Sequence, residues 1–206
     1  MTAPSDQPLV LASASPRRRE LISRLGLAVE VAPADVDEAP RPGEPPALFA
    51  LRVARAKALH AALRFPESPV LAADTIVVLG QRILGKPVDR SEAAAMLRAL
   101  SGRAHTVVTA LAARWGGREA THLEHARVVI APLPDSLIDW YVATGEADDK
   151  AGAYAIQGRA AVFVERVEGN VQAVVGLPLA SLRGLFARVG LELRPVGERL
   201  VLTPTT

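Results

Sequence analysis

The 206-residue chain contains no cysteine, which excludes a disulfide scaffold, a thiolate metal site and a cysteine nucleophile. Aromatic residues make up only 4% of it, so platforms on which nucleic-acid bases could stack are scarce. Its basic residues are scattered, apart from Arg17-Arg18-Arg19, and form no long basic stripe. No apolar run approaches the roughly 18 residues of a membrane helix, and no secretory signal is visible. We therefore expect a cytoplasmic protein whose partners include neither a nucleic-acid polymer nor a membrane.

Half of the residues are apolar, enough for a sizeable core in one large domain or in two small lobes that share a cleft. Strand-like and helix-like segments alternate, with hairpins between them, which favours a mixed α/β fold. We expect a single domain at residues 9–190, with flexible tails at 1–8 and 195–206. The predicted strands are 9–12, 29–31, 70–79, 83–84, 105–115, 119–131 and 162–167, and the predicted helices are 16–25, 47–63, 91–100, 134–144 and 178–189.

The segment from Ser13 to Arg18 has the composition of an anion site. A short apolar strand precedes it, Ser15 is placed to cap a helix, and Pro16 suits the first helical position. The N–H groups at a helix start attract anions, and arginine forks match phosphate oxygens. The segment therefore predicts phosphate binding, and the alternative is an ordinary capped helix with solvated arginines.

Asp74 interrupts a strongly apolar strand, Val70 to Leu79. Because a buried carboxylate is costly, such a residue commonly binds a metal, orients a base or acts as a general base. The alternative is a strand residue that faces solvent, which the apolar flanks on both sides make the weaker interpretation.

Residues 80–87 nearly match a P-loop, but Pro87 stands where a hydroxyl must reach magnesium, and Gly80-Gln81 is typical of a hairpin turn. We reject the P-loop and retain Lys86 as a candidate phosphate ligand on a turn.

Two further features point to charged ligands. Asp35, Asp37 and Glu38 form an acidic loop of the kind that binds hard cations, although most such loops are merely solvated.

Lys57 lies beside the predicted apolar face of its helix, and it either points into a cleft or extends to solvent. It is one of only three lysines among 24 basic residues, which suggests a role for its compact charge or else chance. The predicted apolar face of that helix comprises Phe49, Val53, Ala56, His60 and Leu63.

Taken together, these segments resemble the Maf family of nucleoside triphosphate pyrophosphatases over about Leu9 to Val189. Each motif alone is modest, but all of them in this order are highly specific. The motifs are Leu-Ala-Ser-Ala-Ser-Pro-Arg-Arg (11–18), Val-Asp-Glu (36–38), Ala-Arg-Ala-Lys-Ala (54–58), Ala-Asp-Thr-Ile-Val (73–77), Gly-Lys-Pro (85–87), Leu-Ser-Gly-Arg-Ala-His-Thr-Val-Val-Thr (100–109), Asp-Lys-Ala-Gly-Ala-Tyr-Ala-Ile-Gln-Gly (149–158) and Val-Val-Gly-Leu-Pro (174–178).

The resemblance implies an elongated mixed α/β sheet with flanking helices and two lobes around a central cleft, similar to the inosine-triphosphate pyrophosphatases. It implies hydrolysis of a nucleoside triphosphate to the monophosphate and pyrophosphate with a divalent cation, Mg or Mn. It also implies a cytoplasmic homodimer, and some members of the family are linked to arrest of septum formation.

The resemblance further assigns roles to matched residues. Asp74 is expected to be the general base that activates water, and Glu38 and Asp74 are expected to bind the metal. The residues expected to hold phosphates are Ser13, Ser15, Arg18, Lys57 and Lys86. Those that match the dTTP/UTP-cleaving branch, rather than the branch acting on 7-methyl-GTP, are Arg17, Thr75 and Gln157. Gln157 also fits chemically, because an amide can donate and accept at one pyrimidine edge.

The substrates expected are therefore dTTP and UTP, with modified pyrimidine nucleotides as further candidates. One alternative is a non-catalytic nucleotide-binding regulator of septum formation and cell division, which would bind the nucleotide and release no pyrophosphate. A nucleotide-dependent transferase is disfavoured by the lack of P-loop and kinase motifs. DNA binding, the weakest alternative, would show a steep salt dependence.

Overall fold

The computed structural model describes residues 7–205. The helices of this part are α1 (Pro16–Ser23), α2 (Pro46–Arg64), α3 (Arg90–Leu100), α4 (Asp135–Ala143), α5 (Val171–Val175) and α6 (Leu182–Arg188). Its strands are β1 (Leu9–Leu11), β2 (Val29–Val31), β3 (Val70–Leu79), β4 (Arg82–Leu84), β5 (Ala104–Trp115), β6 (Arg118–Ile130), β7 (Val164–Gly169), β8 (Leu191–Val196) and β9 (Arg199–Pro204). Short 3-10 turns occupy Ala151–Ala153, Arg159–Phe163 and Leu179–Ser181.

The strands form a mixed sheet. Seven of them belong to one sheet: six follow the order β2-β1-β3-β5-β6-β7, and the seventh, β4, pairs with β3. Strands β8 and β9 form a separate hairpin. Strand β1 runs parallel to β2 and to β3, whereas β3 with β4 and β6 with β7 are antiparallel. The predicted mixed α/β class, with a central sheet and flanking helices, is confirmed.

The chain divides into two compact units. The first comprises the described residues up to Asp74, together with Ala110–Leu123 and the residues from Gly176 onward. The second comprises Thr75–Thr109 and Glu124–Val175. Strands β3, β5 and β6 each contribute residues to both units.

In the first unit, β1 is buried on both faces, as its unbroken apolar sequence predicts. Helix α2 covers this unit with a face of mainly small residues. That face differs from the predicted one, because Leu63 is 76% exposed and the buried stripe is rotated around the helix. The buried residues of α2 are Phe49, Ala50, Val53, Ala54, Lys57, Ala58 and Ala61.

In the second unit, α3 and α4 pack with the 3-10 turns at Ala151–Ala153 and Arg159–Phe163 around one apolar cluster. Tyr141 and Phe163 meet edge to face in it, with ring centroids 5.1 Å apart. The turn between β3 and β4 is the predicted hairpin, with Gly80 at φ +64°, so the rejection of a P-loop is confirmed.

Several element boundaries differ from the sequence prediction. Helix α3 begins at Arg90, one residue before its predicted start, and Asp89 caps it, since the Asp89 side chain accepts a hydrogen bond from the Glu92 amide. The stretch 151–163 holds two 3-10 turns, and α5 was not predicted. Residues 195–206 were predicted to be a flexible tail, but residues up to Pro204 complete the β8–β9 hairpin, in which Leu202 is buried. Of the predicted tail at 1–8, residues 1–6 lie outside the described part, as does residue 206.

No helix among residues 7–205 is long and apolar enough to cross a membrane.

Candidate active site

The first unit brings a hydroxyl and a guanidinium together where β1 gives way to α1. The Ser13 hydroxyl oxygen accepts hydrogen bonds from Arg18 Nη1 (3.0 Å) and from the Ser15 amide (3.2 Å). A hydroxyl has two lone pairs and one hydrogen. Because both lone pairs are engaged, Ser13 meets any further ligand as a donor, which is the polarity that a phosphate oxygen requires.

Arg18 is fixed from a second side, because its Nε donates to the Gly176 carbonyl at 2.9 Å. Burial is the largest influence on this guanidinium and lowers its pKa. The charges of Asp74 and Glu38 oppose that effect, and the charge of Arg17 adds to it. Arg18 is therefore a desolvated cation in electrostatic contact with the acidic residues of the same unit.

The start of α1 is electrostatically unusual. Its first turn contains no acidic residue and three consecutive arginines, Arg17 to Arg19, and the Ser15 side chain makes no capping bond. Positive charge at a helix N-terminus opposes the helix dipole, whereas an anion there is stabilised by it. An anion bound at this helix start would be stabilised by the helix dipole and by the arginines, and phosphate binding here stays a prediction.

A second cluster joins α2 to β3. Lys57 Nζ lies 2.9 Å from Asp74 Oδ1 and 3.0 Å from Glu38 Oε1. Lys57 is 8% exposed and Asp74 is 7% exposed, so each neutralises a charge that would be costly to bury alone. The interpretation of Asp74 as a solvent-facing residue is therefore wrong. Lys57 points inward rather than extending to solvent.

Arg52 holds the Glu38 loop in place, and the sequence analysis did not single out this residue. Arg52 Nη2 donates to the Ala39 carbonyl at 2.9 Å, and Nη1 lies 3.5 Å from the Asp37 carbonyl. These two carbonyls flank Glu38. Glu44 completes the arrangement through two hydrogen bonds with Arg52, at 2.7 and 2.8 Å, and these bonds lower the pKa of Glu44 to about 2. An arginine on the exposed side of a helix carries no sequence signal for such a role.

The two carboxylates of this cluster suit a divalent cation. Both converge on the same ammonium nitrogen, and carboxylate oxygens are the ligands that Mg²⁺ prefers. No group of three or more histidine, aspartate or glutamate side chains with metal-binding geometry occurs among residues 7–205. A cation here would therefore draw its remaining ligands from water or substrate, as Mg²⁺ commonly does.

Three predicted residues, Thr75, Lys86 and Gln157, belong to the second unit. Lys86 and Gln157 are exposed, while Thr75 is partly buried on β3. The Thr75 and Thr109 hydroxyl oxygens lie 2.8 Å apart. Nothing in the sequence analysis singled out Thr109 by itself.

The fold and this site define a mixed α/β protein with a serine–arginine cluster at a helix start and a carboxylate–lysine cluster in the same unit. The family model described as "Maf-like protein" matches residues 8–189, and the chain belongs to that family.

Relatives cover nearly the whole chain. The dTTP/UTP pyrophosphatase of Anaeromyxobacter dehalogenans is 55% identical over 189 residues, 90% of this chain and 95% of that protein. The protein of the same name from Myxococcus xanthus is 50% identical over 90% of this chain and 94% of its own length. That of Chromobacterium violaceum is 45% identical over 92% and 98%.

Among solved structures, the Ham1 protein of Staphylococcus aureus aligns with 86% of this chain and 99% of its own, at 15% identity and a TM-score of 0.47. A likeness of that size is too weak to assign a fold. The mixed α/β class rests on the strands and helices described above.

Proposed function

We propose that this protein hydrolyses dTTP and UTP to the monophosphate and pyrophosphate. The observation that carries the proposal is the cluster of Asp74, Lys57 and Glu38 beside the Ser13–Arg18 helix start, in a chain whose relatives are named dTTP/UTP pyrophosphatases. These names favour an enzyme over the non-catalytic regulator of cell division.

Asp74 is the proposed general base. Lys57 Nζ engages Oδ1 of this carboxylate, which fixes the side chain and leaves Oδ2 to accept a proton from water. A positioned general base contributes typically 10²–10⁴-fold to a rate. The attacking water would meet the α-phosphate, and pyrophosphate would leave.

The remaining residues of the first unit neutralise charge. Ser13 donates to a phosphate oxygen, and Arg18 and Ser15 with the α1 start hold the anion. Lys57, paired with both carboxylates, is proposed to meet the phosphates of the substrate. Stabilisation of the charge that develops on the leaving group is the largest catalytic term in reactions of this type. Lys86 is proposed, on the family resemblance, to be a further phosphate ligand.

A divalent cation is the proposed cofactor. When bound, it would neutralise phosphate charge and bring the water and the phosphate together. Glu38 and Asp74 are its proposed protein ligands, and Arg52 holds the loop that carries Glu38. Since Lys57 lies against both carboxylates, it would have to shift toward the phosphates as the cation enters.

Arg17, Thr75 and Gln157 are proposed to select the nucleotide. They are the residues on which the resemblance to the dTTP/UTP branch rests. A homodimer and a cytoplasmic location are proposed on the same resemblance.

The test is Asp74→Asn, which preserves the shape of the side chain and removes the base. We expect kcat for dTTP to fall at least about 100-fold at saturating magnesium, with a smaller change in KM. The matched control is Asp139→Asn, the same change at an exposed position on α4. Pyrophosphate and orthophosphate are quantified separately across a panel of nucleoside triphosphates.

Three results would contradict the proposal. Near-wild-type hydrolysis by Asp74→Asn would remove Asp74 as the base. Release of orthophosphate in place of pyrophosphate would exclude cleavage between the α and β phosphates. Binding of dTTP by the wild-type protein without release of either product would favour the regulator.

A further inference from the structure

Thr109 places a hydroxyl within the buried, apolar stretch of β5. The residue is 0% exposed, and its neighbours from Val107 to Ala113 are all buried. A buried hydroxyl is costly unless it is hydrogen-bonded, and valine would fill the same volume without that cost. The hydroxyl therefore needs a role that valine cannot supply.

The hydrogen bonds of Thr109 fix the direction of its proton. Thr109 Oγ1 lies 2.7 Å from the carbonyl oxygen of Ala173, which can only accept, so the single hydroxyl hydrogen of Thr109 is donated there. Its other contact is with Thr75 Oγ1 at 2.8 Å. Since Thr109 has no second hydrogen, Thr75 donates and Thr109 accepts.

The direction of these two hydrogen bonds determines whether the Thr75 hydroxyl can donate or accept. Its one hydrogen points at Thr109, and only lone pairs are left on its oxygen for other groups. Any further partner of that oxygen, whether from the protein or from a ligand, must bring a hydrogen. Hydrogen bonds in such a chain also polarise one another, which strengthens the accepting character of the last oxygen.

We propose that Thr109 is a positioning residue for nucleotide choice, because it holds the Thr75 hydroxyl as a pure hydrogen-bond acceptor. The inference rests on the proposed function, in which Thr75 helps to select the base. Thymine and uracil carry a donor, N3–H, where cytosine carries an acceptor, N3. A Thr75 oxygen that can only accept favours thymine and uracil and disfavours cytosine. A hydroxyl that could rotate would accept from N3–H or donate to N3, and it would not distinguish these bases.

The test compares UTP with CTP, which share their sugar and phosphates and differ only at the base edge. Thr109→Val keeps the shape and removes both hydrogen bonds. We expect the ratio of kcat/KM for UTP to that for CTP to fall about tenfold, because one buried hydrogen bond contributes about that factor. Thr109→Ser restores the hydroxyl and is expected to keep the ratio within about twofold of wild type.

Two further variants separate this role from a structural one. Thr106→Val makes the same change on the same strand, but the odd separation places residue 106 on the opposite face, so the ratio should not change. In a Thr75→Val background, Thr109→Val should have no further effect on the ratio. Loss of stability alone would lower kcat/KM for both nucleotides equally and leave their ratio unchanged.

The outcomes are distinguishable. If wild type releases no pyrophosphate from UTP, the proposed function fails. If wild type prefers UTP and a folded Thr109→Val keeps the full preference, the proposed function stands and the role of Thr109 is overturned. Should Thr109→Val not fold, Thr109→Ala removes the same hydroxyl with a smaller side chain, and an unchanged ratio in that variant overturns the inference equally.

Discussion

At the residue scale, burial determines what the charged and polar side chains can do. Lys57 shows the effect: it lies beside the predicted apolar face of its helix, yet its buried ammonium forms ion pairs with two carboxylates. Asp74 could be predicted as a buried functional group, since a carboxylate within an apolar strand needs a partner. The identity of that partner could not be predicted, because a contact between residues 17 positions apart depends on tertiary packing.

The burial of His105 should make the stability of the fold depend on pH. Its Nε2 lies 2.7 Å from the Tyr154 hydroxyl, whereas Nδ1 is buried with no hydrogen-bond partner in the described part of the chain. Burial lowers the pKa of His105 to about 4. Burial also raises the pKa of Tyr154, so its hydroxyl stays protonated.

We predict that acid destabilises the fold through this histidine. The pKa of a histidine in the unfolded chain is about 6.5, so between that pH and about 4 only the unfolded chain takes up the proton. The free energy of unfolding should then fall as the pH falls, by about 2 kcal/mol between pH 7.5 and 5. Urea unfolding of wild type and His105→Gln at both pH values measures this difference.

The control for this prediction is His125→Gln, the same change at an exposed position of β6. That variant should keep the wild-type pH dependence, whereas His105→Gln should lose most of it. An equal loss of stability with acid in wild type and His105→Gln would show that other groups carry the effect.

At the element scale, the C-terminal hairpin is attached to the end of α1. The Leu200 amide donates to the Leu25 carbonyl at 3.0 Å. Gly26 follows α1 with φ +68°, and a Cβ there would lie 2.9 Å from Cα and Cβ of Arg199. The close approach of β9 to this glycine requires the absence of a side chain.

We predict that Gly26→Ala destabilises the protein more than Gly43→Ala does. Gly43 has a similar φ of +71°, but an added Cβ would meet nothing within 4 Å. Both variants incur the cost of a left-handed alanine, about 1 kcal/mol. Only Gly26→Ala also displaces the hairpin backbone, so it should cost at least about 1 kcal/mol more. Thermal or urea unfolding of the pair measures this, and equal losses would argue against the contact.

Periodicity located most of the regular elements, but it missed some of them and misplaced the buried face of α2. Strands 29–31 and 70–79 have the predicted bounds, because their apolar runs are bracketed by loops. The buried face of α2 was misplaced, since alanines pack closely enough to be buried without a strong hydrophobic pattern. The hairpin of β8 and β9 was missed, because its exposed arginines and glutamates mask the alternation that ends in buried Leu202.

At the scale of the whole molecule, the structure brings several of the predicted site residues into contact, and their roles stay predictions. Ser13 with Arg18, and Lys57 with Asp74 and Glu38, form contacts within one unit. Arg52 and Thr109 could not be found, because they act through backbone carbonyls or a second hydroxyl, and such roles leave no pattern in a sequence.

Stability of the whole molecule should be linked to its ligands. We predict that a non-hydrolysable dTTP analogue with magnesium, each well above its dissociation constant, raises Tm by about 5–10 °C. Because Glu38 and Asp74 repel phosphate, the analogue alone should give a smaller shift, and excess chelator should reverse the difference. Scanning calorimetry measures Tm for the protein alone, with the analogue, with the analogue and magnesium, and with both plus excess chelator. A full shift without any divalent cation would contradict the proposed cofactor.

The hydrogen bonds of Ser13 also bear on which group attacks phosphorus in the proposed reaction. An alcohol attacks phosphorus through a lone pair, and both lone pairs of the Ser13 oxygen are held by the Arg18 guanidinium and the Ser15 amide. Those donors withdraw electron density and make the oxygen a poor nucleophile. In the proposed reaction the attacking group is a water molecule activated by Asp74. The displacement then occurs in a single step, with inversion at the α-phosphorus and without a nucleotidyl-enzyme intermediate.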